Sequence, residues 1–142
     1  MAKGNEGKLI DKVHRQLDPS IYKLKMNMGM GAPAGIADMF YEGDKDDLFV
    51  EYKVVNDWET KRVIPMKQLT LHQSAWIQRR MKNNRPMGII IGDLKGRIFW
   101  IDRTNYKDPK KPLVIDMWTP KQAAAKIKEM VMHERGITNT IP

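Results

Sequence analysis

The chain has 142 residues, 42% of them hydrophobic and 30% charged, with a net charge of +8 and no cysteine. That length suits one domain with a full apolar core, and the lack of cysteine excludes a disulfide framework or a thiolate metal site. No apolar run approaches the ~18 residues of a membrane helix, and the opening residues Met1 to Glu6 lack the apolar stretch of a secretory signal. The expectation is a soluble protein of a reducing cytoplasm.

In chain order, Asn5 is placed to cap a first helix running to about Leu17, with Pro19 just beyond its end. Ile10, Val13 and Leu17 follow i, i+3, i+7, and Glu6 lies one turn before Ile10 on that stripe. Residues 21–26 read as a short strand and 28–35 as a small-residue loop; most of the eleven methionines read as core filler, and Met26, Met28 and Met30 as a pliable loop near the substrate. Two strands follow over 36–41 and 48–55, split by the polar run 42–47. A polar connection over 56–68 leads to Thr70, which caps a helix to about Asn83. The continuous apolar run 87–91 is that of a buried central strand. Asp93, Leu94, Lys95 and Gly96 turn it into another strand over 97–101. A basic, proline-containing loop spans 103–112, and Thr119-Pro120 opens a last helix that Gly136 ends.

This order predicts an α/β sandwich, a mixed sheet flanked by helices. The helix after the third strand is long enough for a crossover, so the third and fourth strands can run parallel. One domain is expected over 1–142, with a core of about 5–101 and a basic loop and C-terminal helix over 103–136. Charge divides the chain unevenly. Residues 1–60 hold 8 Lys/Arg against 11 Asp/Glu, whereas 61–142 hold 17 against 6. An acidic half joined to a basic one suits metal-dependent work on a polyanion; a generally basic soluble protein is the plainer alternative.

Chemistry concentrates at Asp38 and at Glu51-Tyr52-Lys53. Strand alternation puts Glu51 and Lys53 on one face with Phe49 and Val55, and Val50, Tyr52 and Val54 on the other. A carboxylate and an ammonium in an apolar strand are costly without partners. With Asp38 delivered from the neighbouring strand, they form a carboxylate pair beside a lysine, a nest for Mg²⁺ or Mn²⁺ next to a scissile phosphate. The plainer alternative is a turn-capping Asp38 and a Glu51–Lys53 ion pair.

The run Gly35-Ile36-Ala37-Asp38, then Glu51-Tyr52-Lys53, then Leu69-Thr70-Leu71-His72-Gln73 with Trp76, resembles the PD-(D/E)xK nuclease superfamily. Within it, the resemblance is to the virus-type replication-repair nucleases (VRR-NUC), with phage junction-resolving endonucleases a near second. It covers roughly residues 5–101. Ala37 stands where many members have proline, a backbone feature rather than a ligand. The resemblance implies a PD-(D/E)xK-like fold and a Mg²⁺- or Mn²⁺-dependent endodeoxyribonuclease. Asp38, Glu51 and the Tyr52 backbone carbonyl would be metal ligands, and Lys53 the residue that activates water and stabilises the phosphate. Glu6 is implied as a further acid, against a simple helix-dipole role. Gln73 is implied at the water or phosphate, against a Thr70–Gln73 capping box.

Arg79, Arg80, Lys82 and Arg85, with Lys107, Lys110 and Lys111 in the late loop, are the candidate contacts to backbone phosphates, although surface lysines and arginines are commonly just solvated. His14, His72 and His133 lack the spacing of a zinc site, and Asp44, Asp46 and Asp47 lack that of a calcium loop, reading instead as a solvated hairpin tip. No zinc finger or basic zipper is apparent, so shape and backbone recognition is expected. The resulting expectation is an endonuclease for Holliday or otherwise branched DNA, from a phage or bacterium, acting as a homodimer because paired cuts need two sites. A restriction-type or flap nuclease on this fold and a non-catalytic DNA-binding module are the alternatives.

Overall fold

The computed structural model describes residues 4–26, 36–55, 62–63, 69–106, 113–114 and 116–134. Helices α1 (Asn5–His14), α2 (Leu71–Lys82) and α3 (Pro120–Val131) surround strands β1 (Tyr22–Lys25), β2 (Met39–Glu42), β3 (Asp47–Val54), β5 (Met87–Gly92) and β6 (Ile98–Ile101). Two further short strands, β4 (Arg62–Val63) and β7 (Leu113–Val114), pair with each other. The main sheet has the order β1-β2-β3-β5-β6. Every pairing in it is antiparallel except β3 with β5, which runs parallel. Parallel neighbours need a crossover, and α2 supplies it. The architecture is the expected α/β sandwich with a mixed sheet.

Alternation along the strands separates two cores. On one face Tyr41, Val50, Tyr52, Ile90 and Trp100 pack under Leu9 and Val13 of α1 and Ile127 and Val131 of α3. On the other, Ile89, Ile91, Phe99 and Ile101 pack under Ile77 and Met81 of α2. Ile89, Ile90 and Ile91 are all fully buried, each worth about 1.5–3 kcal/mol over an exposed position. This explains the unbroken apolar run of β5: both of its faces are covered.

Helix ends differ from expectation in instructive ways. Gly4, not Asn5, is the cap of α1, and it makes no side-chain cap bond. That helix stops at His14, after which Gln16 and Leu17 bond back only three residues, to Val13 and His14. The tightened turn keeps Leu17 buried while the chain leaves toward Pro19. Both Thr70 and Thr119 form complete capping boxes, with Gln73 and Gln122; each cap contributes about 1 kcal/mol.

α3 ends at Val131 and the chain is extended at Met132; Gly136 lies outside the described residues. Termination comes from the β2–β3 hairpin tip. Backbone N–H groups of Lys45 and Asp46 donate to the Val131 carbonyl at 2.8 and 3.2 Å, and the His133 N–H donates to Asp44 Oδ1 at 2.8 Å. The tip, with Asp44, Asp46 and Asp47 exposed as expected of a solvated turn, is therefore also a cap for α3. Gly43 permits this approach, since a Cβ there would sit 2.2 Å from the Val131 carbonyl oxygen.

Candidate active site

Asp38 immediately precedes β2. Its carbonyl accepts from the Met26 N–H at 2.8 Å, and its Oδ2 accepts from the Tyr52 N–H at 2.9 Å. Through that second bond the Asp38 side chain is anchored to the middle of β3, between Glu51 and Lys53. Glu51 and Lys53 share the α2-facing side of β3, as period-two alternation requires. Glu51 is only 1% exposed. Its Oε2 accepts from Gln73 Nε2 at 2.9 Å and lies 3.5 Å from Lys53 Nζ.

The remaining oxygen, Glu51 Oε1, is buried and has no hydrogen-bond partner among the described residues. Burial first, then the neighbouring Asp38 carboxyl, pushes Glu51 up to about 8, against the pull of Lys53. A buried carboxylate oxygen with nothing to accept from is expensive. A second carboxyl within hydrogen-bonding reach raises the cost. A divalent cation satisfies both at once, because hard cations take several carboxylate and carbonyl oxygens together. The donor set fits such an ion.

Glu6 is exposed and is not gathered into a third position: the described residues contain no group of three or more acids or histidines arranged around an ion. Its carboxyl still feels Asp38, Lys53 and Lys25. Partial burial and then Asp38 raise its pKa, the two lysines opposing. Glu6 thus stands at the rim of the carboxylate pair.

Gln73 closes the expected capping box with Thr70, and its side chain also reaches the buried acid rather than open space. Its Oε1 accepts from the Thr70 N–H at 3.0 Å to close the capping box, while its Nε2 donates to Glu51. One amide fixes the start of α2 and the orientation of the buried acid.

The basic residues separate into two kinds. Arg79, Lys82 and Arg85 are exposed at the far end of α2. At about 1.5 Å per residue, Arg79 and Lys82 lie about 9 and about 14 Å along the axis from Gln73, and Arg85 follows just past the helix end. Arg80, by contrast, is half-buried. Its guanidinium lies 4.7 Å from the Phe49 ring centroid and 5.5 Å from that of Trp76. Nη2 donates to the Pro86 carbonyl, and Nε is buried without a partner among the described residues. Burial and the nearby Arg85 lower its pKa. Arg80 is thereby a packing element of this face. Lys107, Lys110 and Lys111 lie outside the described residues, as do Met28, Met30 and Gly35. A groove of about 810 Å³ lined by Asp18, Lys45, Lys128 and His133 includes none of Asp38, Glu51, Lys53 or Gln73.

Sequence reasoning missed the polar chain behind the site. Tyr52 contributes not only its backbone: its hydroxyl meets that of Tyr41 at 2.6 Å, and Tyr41 in turn meets His14 Nε2 at 2.8 Å. Tyr-x-x-x spacing gives no sign of it, because the partners come from three separate elements.

The fold is that of a solved nuclease. The structure of Hjc, a Holliday junction resolvase from the archaeal hyperthermophile Archaeoglobus fulgidus, superimposes with a TM-score of 0.53, covering 84% of this chain and 96% of that one at 10% sequence identity. At that identity the likeness establishes a shared fold. No protein-family model matches the chain, and no curated protein matches it.

Proposed function

We propose that the protein is a metal-dependent endodeoxyribonuclease that cleaves Holliday or similarly branched DNA. The observation that carries the reading is Glu51: a fully buried carboxylate with one oxygen open, beside Asp38, Lys53 and Gln73, on the fold of a junction resolvase. A non-catalytic DNA-binding module has no need of that costly arrangement.

Asp38, Glu51 and the Tyr52 backbone carbonyl would hold Mg²⁺ or Mn²⁺, with Glu6 as a rim acid. When bound, the ion supplies positive charge that offsets charge developing on the phosphate and lowers the pKa of water. The chain's own residues do the rest. Tyr52 N–H keeps Asp38 turned toward Glu51. Gln73 orients Glu51 rather than reaching the phosphate itself, since its Nε2 is directed to the acid and its Oε1 to the helix cap. Lys53, 19% exposed at its side chain and 3.5 Å from Glu51 Oε2, would orient the attacking water and neutralise the phosphodiester. In-line attack would expel the 3′-oxygen and leave a 5′-phosphate.

Arg79, Lys82 and Arg85 would contact phosphates away from the cut, about 9 Å or more along the α2 axis from Gln73, with Lys110 and Lys111 as further contacts. Arg80 would contribute by shaping the face. Two opposed cuts in one junction need a second active site, so the functional unit is a twofold homodimer. The narrower kinship with VRR-NUC and phage resolvases, and work in a phage-infected or bacterial cytoplasm, belong to the same proposal.

Labelled four-way junction, flap and linear duplex incubated with Mg²⁺, with and without EDTA, test it. Paired nicking of the junction, abolished by EDTA, is expected. Cutting of linear duplex at fixed sequences would favour a restriction-type enzyme, single cuts at flaps a flap nuclease, and binding without cutting a DNA-binding module.

A further inference from the structure

We propose that the hydrogen-bonded chain His14–Tyr41–Tyr52, buried at its two tyrosines, is a positioning brace for the carboxylate site. It ties together α1, β2 and β3, the elements that carry or adjoin Glu6, Asp38, Glu51 and Lys53. The activity arm of the inference rests on the nuclease reading; its structural arm does not.

Tyr41 and Tyr52 are both fully buried. Their hydroxyls approach to 2.6 Å, and His14 Nε2 lies 2.8 Å from the Tyr41 hydroxyl, its ring set edge-on to the phenol at 5.6 Å. The pairing is not a local one. Tyr41 faces Leu48 across the β2–β3 ladder, four residues before Tyr52, which is about 13 Å along the strand. The two phenols lean toward each other along the strand pair and close that gap. His14 is the last residue of α1, so the brace reaches the helix whose first turn bears Glu6.

Its far end sits under the site. Tyr52 is flanked by Glu51 and Lys53, and its N–H fixes Asp38 at 2.9 Å. A tilt of Tyr52 therefore displaces two carboxylates and an ammonium together. Apolar side chains of the same size would fill this core with no directional preference. Hydrogen bonds among buried groups instead specify one register and one orientation, and a site that must place its groups to within a fraction of an ångström needs such support.

Tyr41→Phe and Tyr52→Phe keep the ring and remove only the link. Each should lower kcat on a four-way junction by about ten-fold or more while leaving junction affinity in EDTA unchanged. In the metal-free, DNA-free protein, the Tyr52 backbone amide in a ¹H–¹⁵N spectrum should shift and exchange faster in Tyr41→Phe, whereas Ile101 on β6 should not change. His14→Gln keeps a hydrogen-bonding partner for Tyr41 and should retain the wild-type Tyr52 amide; His14→Phe should not. Ile127→Val, in the same core, loses packing without touching the brace and should leave kcat and the Tyr52 amide intact.

Wild-type kcat and an unmoved Tyr52 amide in Tyr41→Phe overturn the proposal. So does an Ile127→Val variant that reproduces the kcat loss, which would assign the effect to general core loosening. If the wild-type protein cuts no DNA, the nuclease reading fails and the amide arm alone decides: a shifted amide supports the brace, an unshifted one removes it.

Discussion

Strand β3 has buried polar groups on both faces, and they are treated in opposite ways. Toward α1 and α3, the Tyr52 hydroxyl meets Tyr41, which meets His14, so each buried hydroxyl has a partner. Toward α2, Glu51 is just as buried, yet one oxygen takes the Gln73 amide while the other has no hydrogen-bond partner among the described residues, with the Asp38 carboxyl alongside. Both arrangements carry the desolvation cost of burial. On the first face, internal hydrogen bonds offset that cost, and what results is rigidity. On the second it is left standing beside Asp38, where the proposed cation would bind. Within one strand, then, the proposed brace and the proposed cation site differ in whether their buried polar groups are satisfied.

Changes to the open face should have the largest effect. Asp38→Ala, Glu51→Ala and Lys53→Ala should each reduce junction cleavage on the order of 10²–10⁴-fold or more, with the circular dichroism spectrum and junction binding retained. Either carboxylate change should leave DNA binding as tight as in the wild type or tighter, since negative charge leaves the phosphate path. Normal cutting by Glu51→Ala would remove the contrast between the faces. Glu6→Ala, at the rim, should cost less than any of these three.

Next in size is a pH effect on stability without metal. Glu51 keeps a proton in the folded chain up to about pH 8, against an ordinary value of 4.5. Between those values the folded state binds more protons than the unfolded one, so stability falls as pH rises through the window. Glu6, also raised, acts in the same direction. Denaturant midpoints measured from pH 5 to 8.5 should therefore decline, the decline should flatten in Mg²⁺, and Glu51→Gln should be the more stable protein at pH 8. A midpoint that rises with pH in the metal-free wild type would contradict the buried-acid account.

A smaller effect separates the two duties of Gln73. Thr70→Ala removes the cap alone and should cost about 1 kcal/mol of stability with cleavage nearly intact. Gln73→Ala keeps the Thr70 hydroxyl cap but loses the reciprocal bond of the capping box and the Glu51 bond together, and should lower cleavage as well. Equal cleavage by the two variants would make Gln73 a cap only.

The smallest effects should come from the basic end of α2. Neutralising Arg79, Lys82 or Arg85 should weaken binding to every DNA similarly, lowering the salt slope by about one per lost contact. Arg80→Ala should instead reduce the thermal midpoint, because its guanidinium packs on Phe49 and Trp76. A purely electrostatic phenotype for Arg80 would show that its packing is incidental.

Sequence periodicity revealed much of this, for physical reasons. Alternation along β3 placed Glu51 and Lys53 together and set Tyr52 on the opposite face, because a pleated strand allows no other arrangement. The apolar run of β5 and the intervening helix predicted a buried strand parallel to β3, which the pairing bears out. Thr70 with Gln73 was readable as a cap, a bond between residues three apart. Contacts between distant segments were not readable. His14 and Tyr41 are 27 positions apart, and Asp44 and His133 are 89 apart. No local spacing encodes either. Arg80 looked like a phosphate contact because charge is visible in sequence, whereas the aromatic rings that take it up are brought by folding. Asn5 looked like a cap because its side chain suits the role, yet the chain enters the helix one residue earlier, at Gly4.

The central claim, that Asp38 and Glu51 form a cation site, is tested most directly by Mn²⁺ binding to the DNA-free protein. Free Mn²⁺ can be followed by electron paramagnetic resonance in the wild type, Asp38→Asn and Glu51→Gln. The account predicts saturable uptake by the wild type, weakened at least ten-fold (about 1.4 kcal/mol) in both variants. Equal uptake by all three proteins would contradict it.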